Sequence, residues 1–318
     1  MTTDIARPSV ATHLRTISRH LAHRCAVSEV FVTSLHTHTP DSYTVGAQLP
    51  RMHAYYGDHV GPAATHYDPL LVMEAARQAA IALTHEYFGV PGDMAFVVRT
   101  FNGSGVDTAA WRIGPAPADL VMSVQVGRRH ERAGRVQGVD MVLDIACGGV
   151  PMMTVDGSFT WITPRQWDRL RSSSRTGLGL GEFDGTTVPG ERADPAAVGR
   201  DNRRNVVIGP LQRHSAGGTA VLVADTGHPV LFDHPLDHAP GSLLIEAARQ
   251  TATALLGPNP PQLLCVASTF DKFVELDHPA ACVAEIVHTD PMVVRCGIRQ
   301  GDTLAARIDL EFAEVPEQ

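Results

Sequence analysis

Lysine is almost absent from this chain of 318 residues: Lys272 stands alone, and the remaining 25 of 26 basic residues are arginine. With the many alanines, that choice reads as the codon bias of a GC-rich genome. Acidic residues number 34, and a formal charge of −8 argues against a general nucleic-acid binder. Cysteine is sparse too. Cys25, Cys147, Cys265, Cys282 and Cys296 form no Cys-x-x-Cys pair, so buried free thiols are expected rather than disulfides or metal ligands. His-Glu-x-x-His is missing, and neither a metal nor another cofactor is expected. There is no Walker loop, and the glycines within 176–181 do not sit between a clear strand and a helix, which argues against a nucleotide fingerprint. No stretch approaches the roughly 18 apolar residues of a membrane span. Residues 1–26 lack the apolar run of a signal peptide. A cytoplasmic protein is expected, with neither membrane nor nucleic acid among its partners.

What the chain does contain is itself, twice. Glu-Ala-Ala-Arg-Gln begins at Glu74 and again at Glu246, 172 residues later. His66 lies eight residues before Glu74, and His238 eight before Glu246. Thr100-Phe-Asn recurs as Thr269-Phe-Asp after 169 residues. A five-residue identity alone is compatible with chance; matching flanks at a nearly constant offset point to duplication. The length agrees with about two units of roughly 150 residues. The stretch 172–204, rich in Gly, Ser, Asp and Arg, reads as a linker or mobile loop. The expected organisation is a loosely ordered N-terminal segment 1–25, a first repeat 26–171, the linker 172–204 and a second repeat 205–318.

Each copy shows the same order of elements. Strand-like runs at 30–35 and 43–49, matched by 205–211 and 219–224, precede a His-rich loop and one long helix. Further strand-like runs follow, at 95–100, 120–126 and 136–145, and at 263–268, 282–287, 292–298 and 304–312. One helix among many strands indicates an α+β fold rather than βαβ winding. Asp68 can cap the first helix, with Pro69 at its first position and Gly89 at its end. The second starts near Gly241 or Ser242 and stops by Gly257-Pro258. Both helices are apolar nearly all round and should be buried. An antiparallel sheet around one buried helix is the hotdog arrangement. Two copies in one chain give a double hotdog, which completes its own pseudo-dimer, so a monomer and a homodimer are both compatible.

The segment Phe232-Asp-His-Pro-Leu-Asp-His-Ala-Pro-Gly-Ser-Leu-Leu-Ile-Glu-Ala-Ala-Arg-Gln250 resembles the A-factor biosynthesis (AfsA-type) hotdog family. Tyr67-Asp-Pro-Leu-Leu-Val-Met-Glu-Ala-Ala-Arg-Gln78 resembles that family's N-terminal repeat, and the likeness runs from about residue 27 to 312. It implies an acyltransferase that joins a β-ketoacyl chain from acyl carrier protein to dihydroxyacetone phosphate, on the way to γ-butyrolactone or furan signals. A more distant resemblance is to β-hydroxyacyl-carrier dehydratases, with His234-Pro235 near the place of their catalytic histidine loop. Here the loop lacks its phenylalanine and is two residues shorter.

Helix spacing puts Glu74, Arg77 and Gln78 on one face, and Glu246, Arg249 and Gln250, extended by Thr253, on another. Charges on buried helices are expensive unless paired. Either each pair ties the two helices together, or the stripes do chemistry. Acyl transfer to an alcohol needs a base, an oxyanion donor and, for a phosphorylated acceptor, a cation. A partly buried glutamate with a raised pKa suits the base, which could be Glu246 or Glu74. Arg249 or Arg77 suits the phosphate. Gly241 offers a backbone N–H at a helix start where the first copy has Pro69, which has none, so one competent site using Gly241 is expected. His234 is the candidate for acid/base help. His66 and His238, equivalent in position, are candidates for holding the loops or the substrate. His53 and His59 rank lower. The run 127–135, with four arginines and a histidine, reads as a basic hairpin tip, either merely solvated or a dock for an acidic carrier protein. A dehydratase or thioesterase on the same fold, and a non-catalytic acyl-binding protein, are the competing readings.

Overall fold

A computed structural model of the chain describes residues 10–257 and 262–313. The first half contains β1 (Val32–Thr39), β2 (Ser42–Leu49), α1 (Pro69–Phe88), β3 (Ala95–Gly105), β4 (Ala118–Arg132), β5 (Arg135–Cys147) and β6 (Val150–Ile162). After α2 (Pro164–Gly177), the second half repeats the series as β7 (Gln212–His214), β8 (Gly217–Val221), α3 (Gly241–Leu256), β9 (Gln262–Phe270), β10 (Ala280–Thr289), β11 (Met292–Gln300) and β12 (Thr303–Ala313). All strands join one antiparallel sheet in the order β1-β2-β4-β5-β6-β3-β9-β12-β11-β10-β8-β7. The second half of that order is the mirror of the first. The halves meet where β3 pairs with β9, and Thr100 there faces Thr269, its counterpart in the repeat. The pseudo-twofold axis therefore runs through that pair, as in an isologous dimer interface.

The two long helices form where their caps and composition require. Asp68 accepts a hydrogen bond from the Leu70 N–H, Pro69 opens α1, and Gly89 closes it at φ +64°. From Pro69 to Thr84 every residue of α1 is buried except Arg77. In α3, Leu243 to Thr253 are all buried. Gly257 caps α3; Pro258 lies outside the described residues. The sheet curls around these helices and supplies alternate side chains such as Leu120, Met122 and Val124 to the core.

Several expectations change. Residues 205–211 do not form a strand: a 3-10 turn ends at Asn205, Ile208 makes an isolated bridge with Leu222, and the strand begins at Gln212. The Asn205 carbonyl and the Val207 N–H are drawn to the buried side chain of Gln250 instead of a ladder partner. Of the five free thiols only Cys282 and Cys296 are buried, and Cys25 is exposed, because it lies on the surface segment that docks onto Asp233. That N-terminal stretch packs from Thr12 onward: the Thr12 N–H donates to the Ser34 hydroxyl, the Ile17 N–H to the Val32 carbonyl, and the His13 ring contacts the Leu120 carbonyl. The helix α2, absent from the sequence reading, crosses residue 171. Its capping box of Thr163 and Gln166 starts it. Arg171 and Arg175 then bind Glu275, and Arg175 also binds Asp277, which fastens α2 to the second half.

The junction between halves is tight at Gly105, where a Cβ would stand 2.6 Å from the Leu264 carbonyl oxygen. Gly105→Ala should lower stability by about 1–3 kcal/mol, the usual range for overpacking. Gly92→Ala, with nothing within 4 Å of the added carbon, should not. Denaturant midpoints of the two variants measure the difference, and equal midpoints would deny the junction its role.

Candidate active site

The repeat carries two charged clusters that match residue for residue. In the first half the Glu74 carboxylate accepts from Arg24 Nε (3.0 Å), from Arg77 Nε (2.8 Å) and Nη2 (2.9 Å), and from Gln78 Nε2 (2.8 Å). In the second half Glu246 accepts from Arg200 Nη2 (2.7 Å), from Gln250 Nε2 (2.6 Å) and from Arg249. Gln78 also donates to the Glu29 carbonyl and accepts from the Phe31 N–H, just as Gln250 holds Asn205 and Val207. The glutamines thus fasten the chain that enters each half.

Sequence reasoning missed Arg24 and Arg200. They lie 176 residues apart, each five before the residue that a glutamine holds. The repeated Asp-His pairs, Asp58-His59 and Asp233-His234, 175 apart, were the accessible signal for the loops that receive them. Each arginine crosses to the other half: Arg200 donates to the carbonyls of Tyr55 (2.6 Å) and Asp58 (3.1 Å), and Arg24 to that of Val230 (3.3 Å). Asp233 in turn accepts from the N–H groups of Cys25 and Ala26, as Asp58 does from that of Asn202. The clusters therefore tie the halves together, as the structural reading of the stripes expected.

The symmetry breaks at the helix caps. Asp68 caps α1, and both its oxygens also accept from Arg249 Nη1 at 2.8 Å, while His59 Nε2 lies 2.9 Å away. That carboxylate closes the cluster of Glu246, Arg249 and Arg200, leaving a void of about 60 Å³ beside it, which His66 also lines. The matching cap of α3 is Pro240, and among the described residues no side chain satisfies the first N–H groups of that helix. A cavity of about 470 Å³ opens there instead. Its polar end holds Glu74, Arg77, Arg24, His234, His238 and Gly241; its apolar wall includes Met73, Ile81, Phe101 and Met141. The side chain of Arg77 is 32% exposed against 9% for Arg249, and that of His234 is 45% exposed.

Glu74, Arg77, His234, His238 and Gly241 thus come together across the two halves. Glu246, Arg249, Gln250 and His66 lie in or beside the closed cluster, and Gln78 sits behind Glu74. Gly241 lines the same cavity as Glu74, while Glu246 does not line it. The Phe270 ring would lie 3.3 Å from a Cβ at Gly241, so the helix start and that ring are in close contact. His238 hydrogen-bonds Asp237 at 2.8 Å and packs against Trp167 of α2.

The electrostatics run opposite to the raised glutamate pKa that was expected. Burial alone would push the Glu74 carboxyl up, but Arg24 and Arg77 outweigh it and bring it down to about 2. Glu246 is lowered likewise, burial being outweighed by Arg200 and Arg249. Carboxylates lowered in this way are weak bases near neutrality, and each is an anion that orients two guanidinium groups. The imidazoles are the available bases: burial, with Arg24 and Arg77 nearby, lowers His234 against the pull of Asp233 and keeps it neutral.

These shifts predict how stability depends on pH. His23 and His228 are drawn down from 6.5 to about 4, chiefly by burial. Their contribution to stability is complete above 6.5 and is lost as pH falls towards 4. Glu74, lowered from 4.5 to about 2, contributes fully above 4.5 and loses that contribution as pH falls towards 2. The melting temperature should therefore decline in two stages on acidification, beginning near 6.5 and continuing below 4.5. A level melting temperature from pH 6.5 to 3 would contradict this charge assignment.

A model described as the A-factor biosynthesis hotdog domain matches residues 5–163 and 185–313. A 2-oxo-3-(phosphooxy)propyl 3-oxoalkanoate synthase of Streptomyces virginiae is 35% identical over 270 residues, 85% of this chain and 87% of that protein. A protein of the same name from Streptomyces griseus is 28% identical over 296 residues, 91% and 93% of the two chains. Among solved structures, the 12:0-ACP thioesterase of Umbellularia californica superposes with a TM-score of 0.52 at 11% identity, covering 87% of this chain and 98% of that one, a likeness of fold. The chain belongs to the A-factor biosynthesis hotdog family.

Proposed function

We propose that this protein is an acyltransferase which joins a β-ketoacyl group from acyl carrier protein to the hydroxyl of dihydroxyacetone phosphate. The observation that carries the reading is the missing carboxylate. In the closed cluster Arg249 has Glu246 and Asp68 as anionic partners. On the cavity side Arg77 has Glu74, and Pro240 stands where Asp68 would be. A phosphate entering the cavity supplies the anion that Asp68 supplies elsewhere, on an arginine already oriented by Glu74. The relatives' names describe a phosphorylated three-carbon ester of a 3-oxoalkanoate, which combines such a phosphate with an acyl chain suited to the apolar wall.

The rest of the cavity fits the chemistry. The thioester carbonyl lies against the uncapped start of α3, where the Gly241 N–H and the helix dipole stabilise the oxyanion. The acyl chain runs along α1 past Met73 and Ile81. Proton transfer falls to the imidazoles of the wall, His234 among them. The donor arrives through a second groove of about 850 Å³ beneath α2, which shares Phe96, Trp167, His238, Gly241 and Phe270 with the cavity. Arg99, Arg128 and Lys272 line it, and none of the three is ion-paired among the described residues. On a chain of charge −8 these cations suit an acidic carrier protein and the phosphate of its thiol arm. Arg128 belongs to the basic hairpin run noted in the sequence.

Purified protein, a β-ketoacyl-carrier thioester and dihydroxyacetone phosphate should yield the phosphorylated ester by mass spectrometry; free acid or an enoyl product alone would refute the transfer. Arg77→Ala should lower kcat/KM about 10- to 100-fold, on the scale of a lost charge-assisted contact of about 1.5–3 kcal/mol, mainly through the KM of the triose phosphate. Reversing Arg99, Arg128 and Lys272 to glutamate should raise the KM for the carrier-bound donor, more so at low salt, and leave that for a short thioester mimic unchanged. Equal effects on both donors would remove the groove from the donor's path.

A further inference from the structure

We propose that His23, with its tautomer set by His85, is the catalytic residue that takes the acceptor's hydroxyl proton. This rests on the acyl-transfer reading above. The two rings lie on the cavity side of the molecule, and His23 lines the cavity together with Arg24, Glu74, Arg77 and His234. His85, in the last turn of α1, is 2.7 Å through Nδ1 from the Val90 carbonyl, which the left-handed turn at Gly89 brings back against the helix. A carbonyl only accepts, so His85 Nδ1 carries the proton and its Nε2 carries the lone pair. His85 Nε2 is 2.7 Å from His23 Nε2, and must accept there. His23 is left with its lone pair on Nδ1, which has no hydrogen-bond partner among the described residues. The relay from Val90 through His85 thus presents an unprotonated nitrogen on a residue of the cavity wall.

The repeat provides an internal comparison. Arg24 matches Arg200, so His23 matches Gly199; Glu74 matches Glu246, so His85 matches Gly257. Both histidines are glycine in the closed half. Gly199 has φ +72°, a conformation glycine adopts freely, and His23 holds the same left-handed backbone at φ +49°. A side chain is kept at a position that disfavours side chains, only in the half with a cavity. Strain of this kind gathers at functional sites.

The groups that face His23 are His85 and Arg77 from α1, His234 from the loop before α3, and the neighbouring Arg24. Burial first, then His85, Arg77 and His234, hold its pKa near 4 in the free protein, so the ring is neutral at physiological pH. A phosphate on Arg77 offsets that guanidinium's charge, which strengthens the base once the acceptor is bound. In the step itself the hydroxyl oxygen forms a bond to the thioester carbonyl carbon and its proton passes to His23 Nδ1. The carbon–sulfur bond then breaks, and the departing thiolate recovers that proton. The products are an ester and a thiol, with nothing oxidised or reduced.

The decisive variant is His23→Gly, which restores the residue of the closed half and relieves the left-handed backbone, so it should still fold and melt in one cooperative transition. Its kcat for ester formation should fall about 10²- to 10⁴-fold, the usual contribution of a general base, with the KM for the triose phosphate within about threefold. Added imidazole should restore part of the rate in proportion to its free-base form, a response that a purely structural His23–His85 pair would not produce. A kcat within about threefold of the parent, or a larger loss for His234→Gln than for His23→Gly, overturns the assignment. A substrate-free check is the nitrogen NMR spectrum of the histidine rings: His23 should be the Nε2–H tautomer and His85 the Nδ1–H tautomer, and the reverse refutes the relay. If the parent forms no ester at all, the transfer reading itself fails, and the tautomer spectrum still decides the dyad.

Discussion

Two carboxylates, Glu74 and Glu246, are buried on the long helices, and the arrangement of the chain follows from satisfying them. A buried carboxylate that loses one partner costs about 3–5 kcal/mol, so each glutamate must keep both of its arginines. One arginine sits three residues along the same helix. The other, Arg24 or Arg200, comes from the segment that enters each half. Bringing it in pins that segment to the helix, and the arginine's remaining N–H reaches a carbonyl of the opposite half. The same bonds therefore neutralise the interior, fix the loops and set the halves in register. The β3–β9 pairing aligns the sheet across the pseudo-axis, and the charged clusters align the helices and loops above it.

A true homodimer would have to repeat every residue on both sides of its axis. Two copies in one chain are released from that requirement, and the cap positions use the freedom. Asp68 closes one cluster by giving Arg249 a second carboxylate and His59 a partner. Pro240 does none of this, and three consequences follow together: Arg77 faces a cavity, His234 lines that cavity with no carboxylate at the cap to bind, and, among the described residues, no side chain binds the first N–H groups of α3. A single replacement at a helix cap separates a saturated structural cluster from one with spare binding capacity.

The fold was legible because its signals are local. Asp68-Pro69, Gly89 and the Glu-Ala-Ala-Arg-Gln repeats mark two buried helices, and alternation marks most of the strands. The capping box of Thr163 and Gln166 was equally local, yet α2 has a strongly polar sequence whose arginines find their carboxylates about 100 residues away, so a composition-based reading took its last turns for linker. The site was half legible. The stripes and the Gly241 difference are sequence features, and the arrangement of Glu74 with Gly241 is a property of how the halves meet. The sign of the glutamate shift was read wrongly, because the stripe shows one arginine per glutamate while the second comes from a distant segment. Burial with one partner leaves a carboxylate poised; with two it becomes a permanent anion.

That permanence assigns the proton to other groups. A glutamate locked between two guanidinium groups contributes an orientation and a field, and both act on Arg77, whose outward face lines the cavity. The proton must then go to a group that is uncharged before the reaction and able to bear charge during it, which on this wall means an imidazole. His234 qualifies by position, but its counterpart His59 is also a histidine, so its presence does not distinguish the open half from the closed one. His23 and His85 do distinguish them, since both counterparts are glycine. The features confined to the open half are thus a missing carboxylate, an uncapped helix start and a paired imidazole. In the transfer proposed above they would answer its three demands: a place for the phosphate, a donor for the oxyanion and an acceptor for the proton.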